Sequence, residues 1–266
     1  MELTLYQIDT FASQVFAGNP AAICPLDAWL PDALMQSIAM ENNQSETAFF
    51  VATEDDYDIR WFTPMCEVDL CGHATLASAY VLFQILRYAE DRILFQSRSG
   101  PLMVTRMADD WLSMDFPALP PRACKTPEAL LQAFDAKPIA CLQAMDYIVV
   151  FENECDIEDA IPDWALLEEL EHRGVAITAR SADYDFVTRF FAPKYGIDED
   201  PVTGSAFTQL IPYWSSVLGK TDLIAKQISA RGGEVQCRML GERVEIAGQA
   251  VKYMHGNITV DAAAFQ

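Results

Sequence analysis

The segment from Arg60 to Ala77 recurs imperfectly from Arg189 to Ala206, a displacement of 189 − 60 = 129 in a chain of 266 residues. At that offset Arg60, Phe62, Pro64, Asp69 and Ala77 meet identical Arg189, Phe191, Pro193, Asp198 and Ala206, while Trp61 meets Phe190 and Val68 meets Ile197. Usual residue frequencies give about one identity by chance in a window of this length; five are found among the eighteen aligned positions. A period of half the chain is too long for a solenoid. It predicts a duplicated domain whose two copies face each other across a cleft. The copies differ in their reactive groups: one carries Cys71-Gly72-His73, the other Asp200-Pro201-Val202-Thr203-Gly204-Ser205, with Cys71 aligned to Asp200.

Each copy reads as strands around one apolar helix. Alternation predicts strands near Leu3 to Ile8, Ala22 to Cys24, Glu46 to Ala52 and Asp58 to Phe62. A helix from Pro31 to Asn42 places Leu34, Met35, Ile38 and Ala39 on one face. Ala74 to Leu86 is apolar nearly all round, which predicts a buried central helix, and Ile93 to Gln96 and Leu112 to Phe116 follow as strands. The proline-rich piece from Pro117 to Pro121 marks a boundary, so the predicted domains are 1–118 and 119–266, with the last strand able to return to the first. In the second half Thr126-Pro127-Glu128 predicts a helix start, and Pro162 to His172 a helix ending at Gly174. Tyr147 to Phe151, Val175 to Ala179 and Asp185 to Phe191 read as strands. Thr203 to Leu218 is the second buried helix, where Pro212 predicts a kink or break. The class is α+β: two pseudo-symmetric domains, each mostly antiparallel strands about a central helix.

Asp+Glu 39 against Lys+Arg 18 gives a formal net charge of −21, which argues against nucleic-acid backbones and anionic membranes as partners. No apolar run approaches about 18 residues, and the N-terminus lacks a signal-peptide pattern. Seven scattered cysteines in such a chain are expected to be reduced thiols, and a cytoplasmic location follows. Cys66, Cys71 and His73 form a weak metal candidate without a second ligand pair, so no metal site is expected. Neither a P-loop, a nucleophile elbow nor a dinucleotide fingerprint occurs.

Both central helices begin with a glycine beside a polar group: Gly72 with His73, and Gly204 with Ser205. The unpaired N–H groups of a helix start can hold a carboxylate without any Lys or Arg. The plainer reading is that these glycines permit tight turns. Glu46 leads directly into an apolar strand, which partly desolvates it and suits it to exchange protons near neutral pH; a solvated, inert strand-edge acid is the alternative. Asp200 precedes Pro201 and lies in the loop feeding the second helix.

The segments Ala17 to Ala22, Gln44 to Phe49, Phe62 to Pro64, Glu67 to Thr75 and Glu199 to Ala206, taken together and in this order, resemble the PhzF-like (phenazine-biosynthesis) isomerase family over nearly the whole chain. The resemblance implies the diaminopimelate-epimerase-like fold, with a substrate site between the domains, and a homodimer. In the enzyme that names the family, a glutamate moves a proton along an anthranilate-type substrate without metal or cofactor. Glu46 matches that glutamate, and His73 and Asp200 match its acid/base and orienting partners. Asn19, Ser45, Gly72, Thr203, Gly204 and Ser205 match residues around the substrate. Ala230 to Glu234 departs from the phenazine branch and is closer to an uncharacterised bacterial branch, which leaves the substrate unnamed.

The leading expectation is therefore a cofactor-independent isomerase that moves a proton on a small anionic metabolite through Glu46. A racemase or epimerase using Cys71 as one of two thiols is a second reading, and a noncatalytic small-acid-binding protein with the same fold is a third.

Overall fold

The computed structural model describes residues 1–261 and 265. The chain forms two compact units, one comprising Met1–Asp115 with the segment from Ala247 onward, the other Phe116–Ile246.

In the first unit β1 (Glu2–Thr10), β2 (Asn19–Leu26), α1 (Asp32–Asn42), β3 (Glu46–Ala52), β4 (Tyr57–Phe62), β5 (Glu67–Val68), α2 (Gly72–Tyr80), β6 (Arg92–Ser97), β7 (Gly100–Arg106) and β8 (Leu112–Pro117) follow in order. β1 lies antiparallel to β2 and, on its other side, to the C-terminal strand Ala250–Thr259, with Glu2 opposite Thr259. β2 and β3 run parallel with Ala21 opposite Glu46, β3 and β4 antiparallel, β4 and β5 antiparallel, and β4 and β6 parallel. The apolar stripe expected of α1 is buried: Leu34, Met35, Ile38 and Ala39 pack with Leu3, Phe49 and Phe62. Asn43 ends α1 in the left-handed conformation, donating its N–H to the Ala39 carbonyl, and so turns the chain into β3. Every residue of α2 from His73 to Ala79 is buried, as a helix without a polar face must be. It continues as a π-turn over Val81–Ile85.

The second unit contains β9 (Arg122–Ala123), α3 (Glu128–Ala133), β10 (Ala140–Gln143), β11 (Tyr147–Val150), α4 (Glu154–Glu158), α5 (Trp164–Glu168), β12 (Val175–Ala179), β13 (Phe186–Ala192), β14 (Ile197–Asp200), α6 (Gly204–Leu218), β15 (Asp222–Gln227), β16 (Gly233–Leu240) and β17 (Arg243–Gly248). The helix expected over Pro162 to His172 is shorter, starting at Asp163, whose carboxylate caps the amides of Ala165 and Leu166. An unexpected helix, α4, starts at Asn153 through a capping box with Asp156. α6 is unbroken at Pro212, contrary to the break allowed for it. Proline removes the N–H that would bond the Thr208 carbonyl, and the amide of Leu119 donates to that carbonyl instead at 2.9 Å. The helix thus keeps its proline because the proline-rich segment supplies the missing donor. Trp214 is fixed on the same helix by stacking on Phe186 and by donating Nε1–H to Thr178 Oγ1 at 3.0 Å.

The duplication is visible strand by strand. β11 pairs parallel with β12, β12 antiparallel with β13, β13 antiparallel with β14, and β13 parallel with β15 after α6. That is the order of β2, β3, β4, β5, α2 and β6. Each copy also repeats a bidentate ion pair: Arg60 grips Glu67 at 2.7 and 2.8 Å, Arg189 grips Glu199 at 2.7 and 3.0 Å. Each guanidinium lies over the phenylalanine two residues on, Phe62 or Phe191, at 5.2 and 5.1 Å.

These pairs correct the register of the repeat. Arg189 follows Arg60 by 129, whereas Glu199 follows Glu67 by 199 − 67 = 132 and Gly204 follows Gly72 by 204 − 72 = 132. The three extra residues belong to a 3-10 turn at Pro193–Tyr195, closed by Gly196 with φ 73. Trp61 accordingly faces Val68, and Phe190 faces Asp200. Cys71 therefore corresponds to Thr203, the residue before the second central helix, and not to Asp200 as the ungapped repeat predicts. His73 corresponds to Ser205.

Candidate active site

In the first unit, five of the sequence-predicted residues, Asn19, Ser45, Glu46, Gly72 and His73, lie at the starts of β2, β3 and α2. Gly18 sets the approach: its φ is +67, and a Cβ there would stand 2.0 Å from the Thr10 carbonyl oxygen, so no other residue fits. The next residue, Asn19, is fully buried, and its carbonyl accepts from the Thr10 hydroxyl at 3.0 Å. Ser45 Oγ donates to Asn19 Oδ1 at 3.2 Å, which ties the residue before Glu46 to the start of β2.

Glu46 opens β3 with its side chain mostly buried, and its Oε2 lies 3.2 Å from Nε2 of His73. The contact is close without being aligned: both atoms are buried, and neither makes a directed hydrogen bond to any described residue. The other ring nitrogen, Nδ1, lies 3.5 Å from Cys71 Sγ. Burial is the largest influence on the Cys71 thiol and pushes it up; the Glu46 carboxylate adds to the rise, and His73 opposes it without reversing it. For the imidazole, burial acts downward, but Cys71 and Glu46 outweigh it and hold its pKa well above 6.5. A thiol that burial keeps neutral is no anion. The lasting charge that holds the proton on His73 is therefore the Glu46 carboxylate.

Carboxylate, thiol and imidazole approach within 4.8 Å of one another, a set of donors that suits a soft metal ion. The ring, however, turns one nitrogen to sulfur and the other to oxygen, whereas a chelated ion takes a single nitrogen of a ring. In this rotamer His73 bridges its neighbours and does not converge with them. Cys66, the third member of the weak metal candidate, is exposed in a turn beside Thr63 and lies outside the cluster.

In the second unit, the loop before α6 is braced from β15. The buried Gln227 accepts from the Thr203 amide at 2.9 Å and donates to the Asp200 carbonyl at 2.7 Å. The Thr203 hydroxyl donates to Asp200 Oδ2 at 2.5 Å. Gly204 and Ser205 form the first turn of α6. This helix start also has a cationic side chain beside it: Arg173 donates to Ser205 Oγ at 2.9 Å. The same guanidinium holds Asp146, whose side chain is fully buried, through two bonds of 2.9 and 2.7 Å. Gln209 on α6 completes the arrangement, donating to Asp146 Oδ2 at 2.6 Å and accepting from the Asp146 amide at 3.0 Å. Nothing local in the sequence singles out Arg173, Asp146 or Gln227. Gln209 carried a signal, a polar residue in the middle of an apolar helix, which calls for a buried partner.

No helix among the described residues is long and apolar enough to cross a membrane.

The family model described as phenazine biosynthesis-like protein, PhzC-PhzF, matches residues 8–256. A Pseudomonas aeruginosa protein named as an uncharacterised isomerase is 54% identical over 97% of this chain and 99% of its own. The crystal structure of a PhzF-family phenazine biosynthesis protein from Enterococcus faecalis matches at 43% identity with a TM-score of 0.96, covering 98% of this chain and all of that one. At the level of the fold alone, the match extends to a hydroxyproline epimerase from Agrobacterium vitis, with TM-score 0.63, 10% identity and coverage of 97% and 92%. On this evidence the chain is an isomerase of α+β, epimerase-like architecture, and it belongs to the phenazine biosynthesis-like family.

Proposed function

We propose that the protein is an isomerase that moves a proton between two carbons of a small carboxylic acid, with Glu46 carrying the proton. The observation that carries this reading is the buried Glu46–His73 contact, in which an acid and an imidazole stand 3.2 Å apart with hydrogen-bonding capacity left over on both. Glu46 as carboxylate takes the proton as one C–H bond breaks. The electron pair moves through the adjacent double bond, and the protonated Glu46, which exchanges with solvent between the two transfers, returns a proton as a second C–H bond forms. Nothing is oxidised or reduced overall, so the shift requires no electron carrier. His73, held protonated, faces the carboxylate with an N–H and offsets its charge between the two transfers.

The epimerase reading needs a second thiol facing the first. Cys71 corresponds to Thr203 in the repeat and turns its sulfur to the His73 ring, so nothing favours that chemistry.

The test is solvent exchange. Small acids bearing an activated C–H, including cyclic anthranilate-type acids, are incubated with the protein in deuterium oxide and followed by proton NMR. An acid that gains deuterium and shifts its double bond with the native chain, and stays unchanged with Glu46→Gln, supports the reading. Equal exchange by both proteins refutes it. Asp200→Asn and Ser205→Ala in the same assay decide whether the start of α6 contributes: a fall in rate without loss of folding assigns it a role.

A further inference from the structure

Cys71 is the residue preceding α2, in extended conformation (φ −144, ψ 109), yet its side chain makes no capping bond to the helix. Its carbonyl does the capping work instead, accepting from the Thr75 amide at 3.2 Å and the Thr75 hydroxyl at 2.6 Å. These bonds fix the backbone at Cys71, and from it the buried sulfur reaches to 3.5 Å from His73 Nδ1.

The second copy of the fold is an internal control. At the same place before α6 stands Thr203, where the next helix carries Ser205 in place of His73. A threonine therefore suffices to begin this helix in this fold. The thiol occurs in the copy that has an imidazole to face.

We infer that Cys71 is a positioning residue: its thiol holds the His73 ring so that Nε2, carrying hydrogen, is presented to Glu46. The inference rests on the reading of Glu46 as the proton carrier. The chemistry follows from the two forms the ring can take. When the ring is protonated, Nδ1–H donates to sulfur and Nε2–H faces the carboxylate. When the ring is neutral, the buried S–H is the donor beside Nδ1, which makes Nδ1 the acceptor and leaves the hydrogen on Nε2. In both forms Glu46 meets a donor. The opposite tautomer would set a ring lone pair against a carboxylate oxygen at 3.2 Å.

The chain has three histidines, at 73, 172 and 255, so the full-length protein labelled with 15N-histidine gives a spectrum of three rings, assignable by His172→Gln and His255→Gln. Two-bond proton–nitrogen correlations, followed from neutral pH upward until the His73 ring gives up its second proton, report which nitrogen keeps hydrogen in the neutral ring. The native protein is expected to show His73 with hydrogen on Nε2 throughout. Cys71→Ala and the bulkier Cys71→Val should lose that single pattern, giving mixed tautomers or an altered Nδ1 resonance, while Cys71→Ser, which keeps a hydroxyl, should restore it. A His73 pattern that is identical in the native, Cys71→Ala and Cys71→Val proteins overturns the inference, as does a native ring with hydrogen on Nδ1 alone. A helix-start role alone would alter stability and leave the tautomer where it was.

The readout needs no substrate, so the two proposals fail separately. Tautomer control by Cys71 without deuterium exchange at Glu46 would defeat the isomerase mechanism and leave Cys71 as the residue that orients the ring. Exchange that depends on Glu46, beside a His73 pattern that Cys71→Ala and Cys71→Val leave unmoved, would do the reverse.

Discussion

Replacing Arg173 by alanine strands the Asp146 carboxylate. That side chain is 0% exposed, the Arg173 side chain 33%, and the pair shares two bonds of 2.9 and 2.7 Å. Two hydrogen bonds to a charged group contribute about 1.5–3 kcal/mol each, and breaking a buried pair by removing one partner costs about 3–5 kcal/mol. The Gln209 amide, 2.6 Å from Oδ2, stays in place and moderates the loss. The expected cost is therefore at the low end, about 3 kcal/mol, or about 6–12 °C in thermal midpoint for a chain of this size. A second arginine gives the comparison. Arg238 approaches Asp222 more closely, at 2.6 Å, but the side chains are 48% and 66% exposed. Water and salt screen an exposed pair, so Arg238→Ala should leave the midpoint nearly where it is. Burial, not distance, decides between them. Both midpoints are measured by near-ultraviolet circular dichroism at one ionic strength. Adding Asp146→Asn to Arg173→Ala removes the stranded charge and should recover a large part of the loss. Equal shifts for the two arginine variants, or no recovery in the double variant, would refute the argument that a desolvated carboxylate depends on Arg173.

Two further outcomes are expected. His73 keeps its proton in the folded protein above the ordinary 6.5, so its contribution to stability is fully present below about pH 6.5 and is lost as pH rises through the folded value. The thermal midpoint of the native chain should fall relative to that of His73→Gln as pH is raised above about 6.5, and parallel curves would contradict the upward shift. In the second unit, Cys124 and Cys141 hold their sulfurs 3.5 Å apart, with the Cys124 amide donating to the Cys141 carbonyl at 3.0 Å. Burial pushes the Cys141 thiol up to about 12, so the more accessible Cys124 should react first with hydrogen peroxide, releasing water, and Cys141 should then displace a second water to close a disulfide. Peptide mapping that finds both thiols still reduced after other exposed cysteines have oxidised would exclude the pair.

What was legible in the sequence was whatever the chain states locally. The helix stripe of α1, the apolar length of α2 and the span Glu46–Ala52 depend on near neighbours, and they appear where the periodicity places them. Glu46 and His73 carried distinctive contexts of their own, although nothing local could say that they touch. The start of α6 was harder. Its charged support comes from Asp146, Arg173 and Gln209, separated by 27 and 63 positions, so no window of sequence contains it. The repeat was recognised but mis-registered, because an ungapped comparison cannot see a three-residue turn between matched strands. Of the kink or break expected at Pro212, the helix shows no break, for a similarly nonlocal reason: the donor that rescues the Thr208 carbonyl is Leu119, from a segment that reads only as a boundary.

Once the repeat is placed in register, the two helix starts differ in a definite physical way. In the first copy the position after the glycine carries an imidazole, and the groups around it are a neutral thiol and a carboxylate, so protons can be held and released at that place. In the second copy the same position carries Ser205, which titrates nowhere near neutral pH. Its oxygen is bonded to Arg173, whose charge Asp146 balances, so the cluster is close to neutral as a whole. Any anion drawn to the second helix start would be held by the helix N–H groups and directional hydrogen bonds more than by net charge. Such a site discriminates by shape and hydrogen-bond direction and is little affected by the excess of acidic residues over the rest of the chain. At the matching place, one copy thus holds titratable groups and the other a polar frame that stays in one charge state near neutral pH.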